Sequence, residues 1–240
     1  YEDCLDFRDT FNEWNTVDMI IHQGAISSTT CTDLNKLHKY NVDWSVWLFE
    51  QAIKHQLPVK YASSASVYGG AAGAHTGFNW TINPLNFYAL SKLTVDYWVQ
   101  DHMEEFIGVQ GFRYHNVYGR GEDHKGNQAS PIHTFIKQAQ ETGVIKVFEG
   151  SDRFLRDFIC VDDVVEVVLN NDKGSGIYDL GTSKPISFQD VADMVAKKFN
   201  AKIETIPFPK HLEEKYQKYT NAIEEWKYYK FKSVKDYLMV

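Results

Sequence analysis

The sequence runs to 240 residues, 43% of them hydrophobic and 15% aromatic, enough to bury a substantial core and unlike a disordered chain. Its 25 basic and 32 acidic residues leave a formal charge of -7, which repels a phosphate backbone, so nucleic acid is not an expected partner. Cys4, Cys31 and Cys160 are an odd, widely spaced set without a Cys-x-x-Cys pair, so neither a disulfide framework nor a zinc site is expected and a reducing cytoplasm fits best.

Along the chain, Tyr1 to Asp18 is acidic and lacks the apolar run of a secretory signal. Val17 to Ile21 is a short β-branched run that reads as a buried parallel strand, ending in a tight loop at His22-Gln23-Gly24-Ala25. From Leu34 to His55 the residues Leu34, Leu37, Trp44, Trp47, Leu48 and Ile53 recur at largely helical spacing, with Pro58 after the stop. Val59 to Ala62 predicts a strand, Tyr88 to Met103 a helix, Val109 to Tyr114 a strand and Ile132 to Gln140 a helix. The longest apolar stretches, such as Val17 to Ile21 and Val164 to Leu169, fall far short of the ~18 residues a membrane span needs. No membrane partner is expected, and Trp44, Trp47 and Trp98 suit packing or a subunit contact better than base stacking.

This alternation predicts an α/β fold, a Rossmann-like doubly wound parallel sheet with ligands at the carboxyl ends of its strands. Beyond residue 115 the pattern loosens. Val144 to Phe148, Phe158 to Cys160 and Gly176 to Leu180 read as short strands and Ser187 to Phe199 as an amphipathic helix, the marks of a smaller mixed α/β substrate-binding lobe. Residues 1-115 and 152-180 are expected to form a partial dinucleotide-binding domain, and 116-151 with 181-240 the lobe. A dinucleotide-binding sheet normally opens with a ~30-residue βαβ unit carrying Gly-x-Gly-x-x-Gly. None precedes Val17, so the sheet is expected to lack its first βαβ unit. Gly69, Gly70 and Gly73 have the wrong spacing and suggest a flexible loop; Gly121 and Gly126 have P-loop spacing, but Asn127 stands where that motif requires Lys.

Tyr88 and Lys92, four apart on a predicted helix, share one face. A free phenol, with a pKa near ~10, is a poor base at neutral pH, and a neighbouring ammonium favours its ionised form. Tyr61-Ala62-Ser63-Ser64-Ala65-Ser66-Val67-Tyr68-Gly69 is a strand ending in hydroxyls, where a serine can bond the substrate hydroxyl that the tyrosine deprotonates. A solvated helix face and a serine-rich cap are the bland alternatives. Taken in this order, strand, hydroxyl terminus and Tyr-x-x-x-Lys helix resemble the extended short-chain dehydrogenase/reductase family. Phe112-Arg113-Tyr114-His115-Asn116-Val117-Tyr118-Gly119, His124-Lys125-Gly126-Asn127-Gln128-Ala129-Ser130, Phe148-Glu149-Gly150-Ser151 and Arg156-Asp157-Phe158 narrow the likeness to its sugar-nucleotide epimerases, and among those to the branch that inverts an ADP-linked heptose.

The resemblance implies inversion at C6 by transient oxidation and re-reduction with a nicotinamide cofactor, NADP or NAD, in a homo-oligomer. Tyr88 and Lys125 would be the two proton-transfer groups on opposite faces, with Ser64 assisting and Lys92 tuning Tyr88. Gln23, Gly24, Ala25, Ile26, Ser27, Asn41, Lys92, Val117 and Lys125 would line the cofactor. Ser64, Asn116, Asn127, His133, Phe148, Glu149, Gly150, Ser151, Arg156 and Tyr216 would hold ADP-heptose. A lysine in the role of Lys125 must lose its proton readily, which burial or a nearby cation can arrange. A bidentate guanidinium at Arg156 suits a diphosphate, although pairing with Asp157 or Asp162 is an equal reading of the residues. Neither His124 nor His133 has a supporting ligand cluster, so no metal is expected. Gln23, Arg120 and Asn127 depart from the residues usual at their places. Two alternatives stay open: another epimerase or a dehydratase of the same family, and a truncated binder of sugar nucleotides without catalysis.

Overall fold

The structure, a computed structural model, describes residues 4–69, 82–210 and 216–239. In chain order it runs α1 (Cys4–Thr10), β1 (Ile20–His22), α2 (Leu34–Leu37), a π-helical turn (His38–Asp43), α3 (Trp44–Lys54), β2 (Val59–Ser64) and α4 (Phe87–Asp101). It continues with β3 (Val109–Tyr114), β4 (Asn116–Tyr118), α5 (Pro131–Thr142), β5 (Val144–Phe148), β6 (Leu155–Arg156), β7 (Phe158–Cys160) and α6 (Val161–Asn170). The last elements are β8 (Gly176–Leu180), β9 (Ile186–Ser187), α7 (Phe188–Phe199), β10 (Lys202–Ile206) and α8 (Val234–Met239). Two compact units emerge: Tyr1–Val67, Pro84–Arg113 and Asp172–Tyr178 make the first, and Tyr68–Asn83, Tyr114–Asn171 and Asp179–Val240 the second.

The sheet of the first unit has the order β1-β2-β3-β8 and is parallel, with Ile20 opposite Val59 and His22 opposite Tyr61. Its core gathers Trp14, Leu48, Phe49, Val59, Tyr61, Val95, Val99 and Val109. Trp47 and Trp98 pack against that core, and Trp44 stacks on Trp47 at 5.0 Å. The acidic opening segment is tied down by α1, whose Phe7 ring meets Phe11, Trp14, Trp44 and Trp47. The first strand starts later than its β-branched run suggests, because Trp14–Thr16 forms a 3-10 turn that takes the Val17 amide. The helix expected over Leu34 to His55 is interrupted by the π turn, and the interruption is what turns Asn41 inward.

Gly111 in β3 allows the close approach of Tyr61. A Cβ there would stand 2.4 Å from the Tyr61 Cζ atom, and that ring is buried. Gly111→Ala is therefore expected to destabilise the fold by about 2 kcal/mol through overpacking. A thermal-melting midpoint equal to the parent's would refute this.

The second unit holds three two-stranded sheets: β4 with β7 and β5 with β10, both parallel, and β6 with β9, antiparallel. Ile132, Phe135, Ile145, Val147, Phe158, Val191 and Val195 form its core. The capping-box residues Ser187 and Asp190 bond reciprocally at the start of α7, which explains why that helix is so plain in the sequence. Several elements of this unit carry no expectation from the sequence, α6 and β10 among them. The run Val164 to Leu169 belongs to α6, with Asp162 and Asp163 in its first turn, where the helix dipole favours acids. β10 is the mostly exposed partner of β5. Of the glycine loop expected at Gly69, Gly70 and Gly73, Gly69 is described, with φ 57; Gly70 and Gly73 lie outside the described residues. Gly121 and Gly126 both have positive φ; Gly121 precedes the 3-10 segment Asp123–Gln128, and Gly126 kinks it from within. The helix that follows, α5, begins at Pro131 and is capped by Ser130.

Candidate functional site

In the first unit, Ser64 ends β2 and Tyr88 opens α4, where Asn86 caps the helix by accepting from the Ala89 amide at 2.8 Å. The Ser64 hydroxyl bonds the Tyr88 phenol and also accepts from the Ser66 amide and hydroxyl at 3.2 and 2.9 Å. Burial pushes the Tyr88 phenol above its ordinary pKa, and the Ser64 hydrogen bond works against burial. The expected lowering by Lys92 is not what governs Tyr88. Lys92 is itself buried, its ammonium donates to the Ala62 carbonyl at 2.8 Å, and desolvation brings it down to about 8. In this state Tyr88 is a protonated phenol bonded to Ser64.

Asn41 sits in the π turn and holds the loop after β1 by both backbone groups. Its Oδ1 accepts from the Ile26 amide at 2.8 Å, and its Nδ2 donates to the Ile26 carbonyl at 3.0 Å. Nδ2 also reaches Ser91 Oγ at 3.0 Å, and Ser91 Oγ donates to the Tyr88 carbonyl at 2.7 Å. One amide thus connects the Gln23 to Ser27 loop with the turn of α4 that carries Tyr88, consistent with the frequent use of π turns at working sites. Gln23, Gly24, Ala25 and Ser27 are exposed. Gly24, Ala25 and Ile26, with Cys4, Lys36, Tyr40 and Trp44, border an apolar cavity of about 340 Å³. A Cβ at Gly24 would touch nothing within 4 Å. An apolar aromatic wall, one lysine, an exposed loop end and a buried ammonium fit part of a dinucleotide.

In the second unit, Arg156 is 5% exposed. Its guanidinium lies 5.5 Å from the Phe188 ring and 5.2 Å from the Tyr216 ring, bonds the Tyr216 hydroxyl, and donates to the Leu155 carbonyl at 3.1 Å. Neither carboxylate that the sequence offered is its partner. Asp157 is spent on Thr182, Ser183 and Ala222, and Asp162 on Arg120 and Lys232. Among the described residues no carboxylate pairs with this buried cation. Phe154, Phe208 and Tyr216 extend the aromatic wall, and Phe148 meets Phe208 at 5.5 Å.

Phe148 to Ser151 form a turn closed by the Ser151 amide on the Phe148 carbonyl, with Gly150 at φ 83 and Glu149 exposed. Ser151 Oγ donates to Gln189 Oε1 at 2.8 Å. Asn116 accepts from the Thr220 hydroxyl at 3.0 Å, and Val117 pairs with Ile159. His133 Nε2 lies 3.5 Å from Asp123 Oδ1. The Asn127 side chain lies outside the described residues.

Lys125 differs from its expected setting. Its side chain is 41% exposed, and Nζ lies 3.7 Å from Glu122 Oε2, a carboxylate and not a cation. Glu122 is the residue that the sequence did not mark: buried, it accepts from the Gly119 amide and from the Ser130 amide and hydroxyl. It thereby fixes both ends of the loop carrying Lys125. An acid three residues before a lysine was its one trace in the sequence, and nothing there marks it as buried.

The chain belongs to the NAD dependent epimerase/dehydratase family, whose model matches residues 3–181; a nicotinamide cofactor and a small-molecule substrate go with that membership. Within it, the chain is similar to proteins named ADP-L-glycero-D-manno-heptose-6-epimerase. The one from Alkalilimnicola ehrlichii is 39% identical over 216 residues, 86% of this chain and 67% of the relative. The one from Brachyspira hyodysenteriae is 39% identical over 225 residues, 91% of this chain and 71% of the relative. A solved ADP-L-glycero-D-manno-heptose-6-epimerase from Helicobacter pylori superposes with a TM-score of 0.84 at 28% identity, covering 99% of this chain and 76% of that one. A UDP-N-acetylglucosamine 4-epimerase from Methanobrevibacter ruminantium shares the fold, with a TM-score of 0.84 at 17% identity over 99% of this chain and 80% of its own. No described helix is long and apolar enough to cross a membrane.

Proposed function

We propose that this chain catalyses inversion of ADP-D-glycero-D-manno-heptose at C6 to its L-glycero epimer. The observation that carries the reading is Arg156, a buried cation among aromatic rings with no described carboxylate partner. Isolated buried charges are costly, and a diphosphate supplies the two oxygens a guanidinium fork is built to take. The names of the 39% identical relatives favour ADP-heptose over other sugar nucleotides.

Bound nicotinamide supplies removal and return of a hydride at the sugar carbon. Gln23, Gly24, Ala25, Ile26, Ser27, Asn41, Lys92, Val117 and Lys125 would hold it, with NADP the preferred form. Tyr88 moves the proton of the substrate hydroxyl while Ser64 bonds the same oxygen, and Lys125 serves the opposite face. Asn116, Asn127, His133, Phe148 to Ser151, Arg156 and Tyr216 would orient the sugar nucleotide. On this reading residues 1-115 and 152-180 serve the cofactor, and 116-151 and 181-240 the substrate. Phe87, Leu90 and Tyr97, exposed along α4, offer the apolar stripe that a homo-oligomer would cover. The cytoplasm suits its three cysteines, none of them in a disulfide among the described residues.

The chain incubated with NADP and ADP-D-glycero-D-manno-heptose should accumulate the L-glycero epimer, resolved by anion-exchange chromatography. Turnover of a UDP-hexose with no conversion of the heptose would sink the assignment. Binding of the nucleotide sugar without any turnover would point to a non-catalytic binder.

A further inference from the structure

Behind Lys92 lies a polar cluster that the proposed reaction leaves unused. Asp96 stands one helical turn beyond Lys92, so Tyr88, Lys92 and Asp96 form a row at i, i+4 and i+8 down one face of α4. Asp96 is 0% exposed. Its Oδ1 accepts from the Tyr61 hydroxyl at 3.0 Å, and its Oδ2 from Ser63 Oγ and Arg113 Nε, each at 2.9 Å. Burial raises the Asp96 carboxyl, while Arg113, Ser63 and Tyr61 oppose burial by bonding the ionised form.

The groups around Lys92 and Asp96 sort by charge. From β2 come the Ala62 carbonyl, its hydrogen-bond acceptor, and Tyr61, a phenol held neutral by burial. From β1 comes His22, which burial and Lys92 bring down to about 4. Its tautomer follows from its partner: Ser45 Oγ gives its proton to the Asn41 carbonyl at 2.7 Å, so it must accept from His22 Nε2–H at 2.8 Å. From β3 comes Arg113, bound to Asp96; from α4 come Tyr88 and Asp96. Asp96 is the one anion in this set.

We propose that Asp96 is a positioning residue whose carboxylate, fixed by Tyr61, Ser63 and Arg113, sets the proton occupancy of Lys92 and thereby the pH range in which Tyr88 works. Only the last clause rests on the epimerase reading; the coupling of Asp96 to Lys92 belongs to the chain itself.

The test is a titration of the full chain labelled with ¹³C-lysine, following the Lys92 Cε resonance, which is assigned by its loss in Lys92→Arg. Asp96→Asn should lower the Lys92 midpoint by about one pH unit, because the anion that retains its proton is gone. Asp96→Glu, which keeps the charge, should restore it. Should Asp96→Asn fail to fold, Asp96→Leu combined with Arg113→Met removes both charges without orphaning either, and the same fall is expected. A midpoint unmoved in the folded variants overturns the proposal. Epimerisation adds a separate reading: the rate should decline as pH rises through the Lys92 midpoint, and that decline should start at lower pH in Asp96→Asn. A shifted Lys92 midpoint in a chain that never epimerises would retain the coupling and defeat the epimerase assignment; epimerisation with an unmoved midpoint would do the reverse.

Discussion

Tyr88→Phe should reduce epimerisation by about 10²- to 10⁴-fold, the range for loss of a positioned proton-transfer group, and leave the fold unchanged. The substitution deletes one hydroxyl whose bond is to Ser64, a side chain that keeps Ser66 as a partner. Lys125→Met should fall comparably, because inversion needs a proton-transfer group on each face of the sugar. Its cost in stability should be slight, since the side chain is half-exposed and its ion pair with Glu122 is long. Initial rates of L-glycero product formation, with circular dichroism as the folding control, decide the matter. A Tyr88→Phe protein retaining more than about a tenth of parental activity would remove Tyr88 from the chemistry.

Asp157→Ala should be among the most destabilising single changes in the second unit, by about 4 kcal/mol. Asp157 is 0% exposed, and its two oxygens take the Thr182 amide and hydroxyl, the Ser183 amide and the Ala222 amide. Its own amide donates to Thr220 Oγ1, the hydroxyl that in turn reaches Asn116. Removing the carboxylate strands four donors at once, the buried Ala222 amide among them, and loosens the segment bearing Thr220 and Ala222 from the turn at Gly181 to Ser183. The urea midpoint should drop by about 1.5 M. Asp162→Ala supplies the contrast, because its partners Arg120 and Lys232 are solvent-facing pairs of little worth. Equal midpoints for the two variants would show that the clamp is not what holds this segment.

These two aspartates explain what could and could not be read beforehand. Strand and helix periodicity gave the alternation of the first unit and the amphipathic α7, because those patterns record burial directly. Tyr88, Lys92 and Ser64 could be placed near one another beforehand because they depend on local spacing at one strand end and along one helix. Arg156 was ambiguous, since charge complementarity with Asp157 and Asp162 is visible in the sequence whereas the aromatic box of Phe188 and Tyr216 is assembled from distant segments. Asp96, Glu122 and Asp157 were invisible as anchors for the same reason: an aspartate that receives amides from residues about 25 and 65 positions away looks like any surface acid. Lys125 carried an expectation of burial or a nearby cation, whereas its side chain is half-exposed beside the Glu122 carboxylate. The π turn escaped notice because its apolar residues still approximate helical spacing.

That turn gives the long helical region a dislocation, in the sense used of crystals. Helical segments on either side of it are individually regular but out of phase, since a π turn accommodates about one more residue than an α turn and each residue advances the helix by roughly 100°. The phase of α2 is thus set by its cap at Asp33, and that of α3 by its packing through Leu48, Phe49 and Ala52. Asn41 lies where the two phases meet. The extra residue is the slack that lets one amide face the loop after β1 without disturbing either flank, so the length of this segment, and not only its composition, is under constraint.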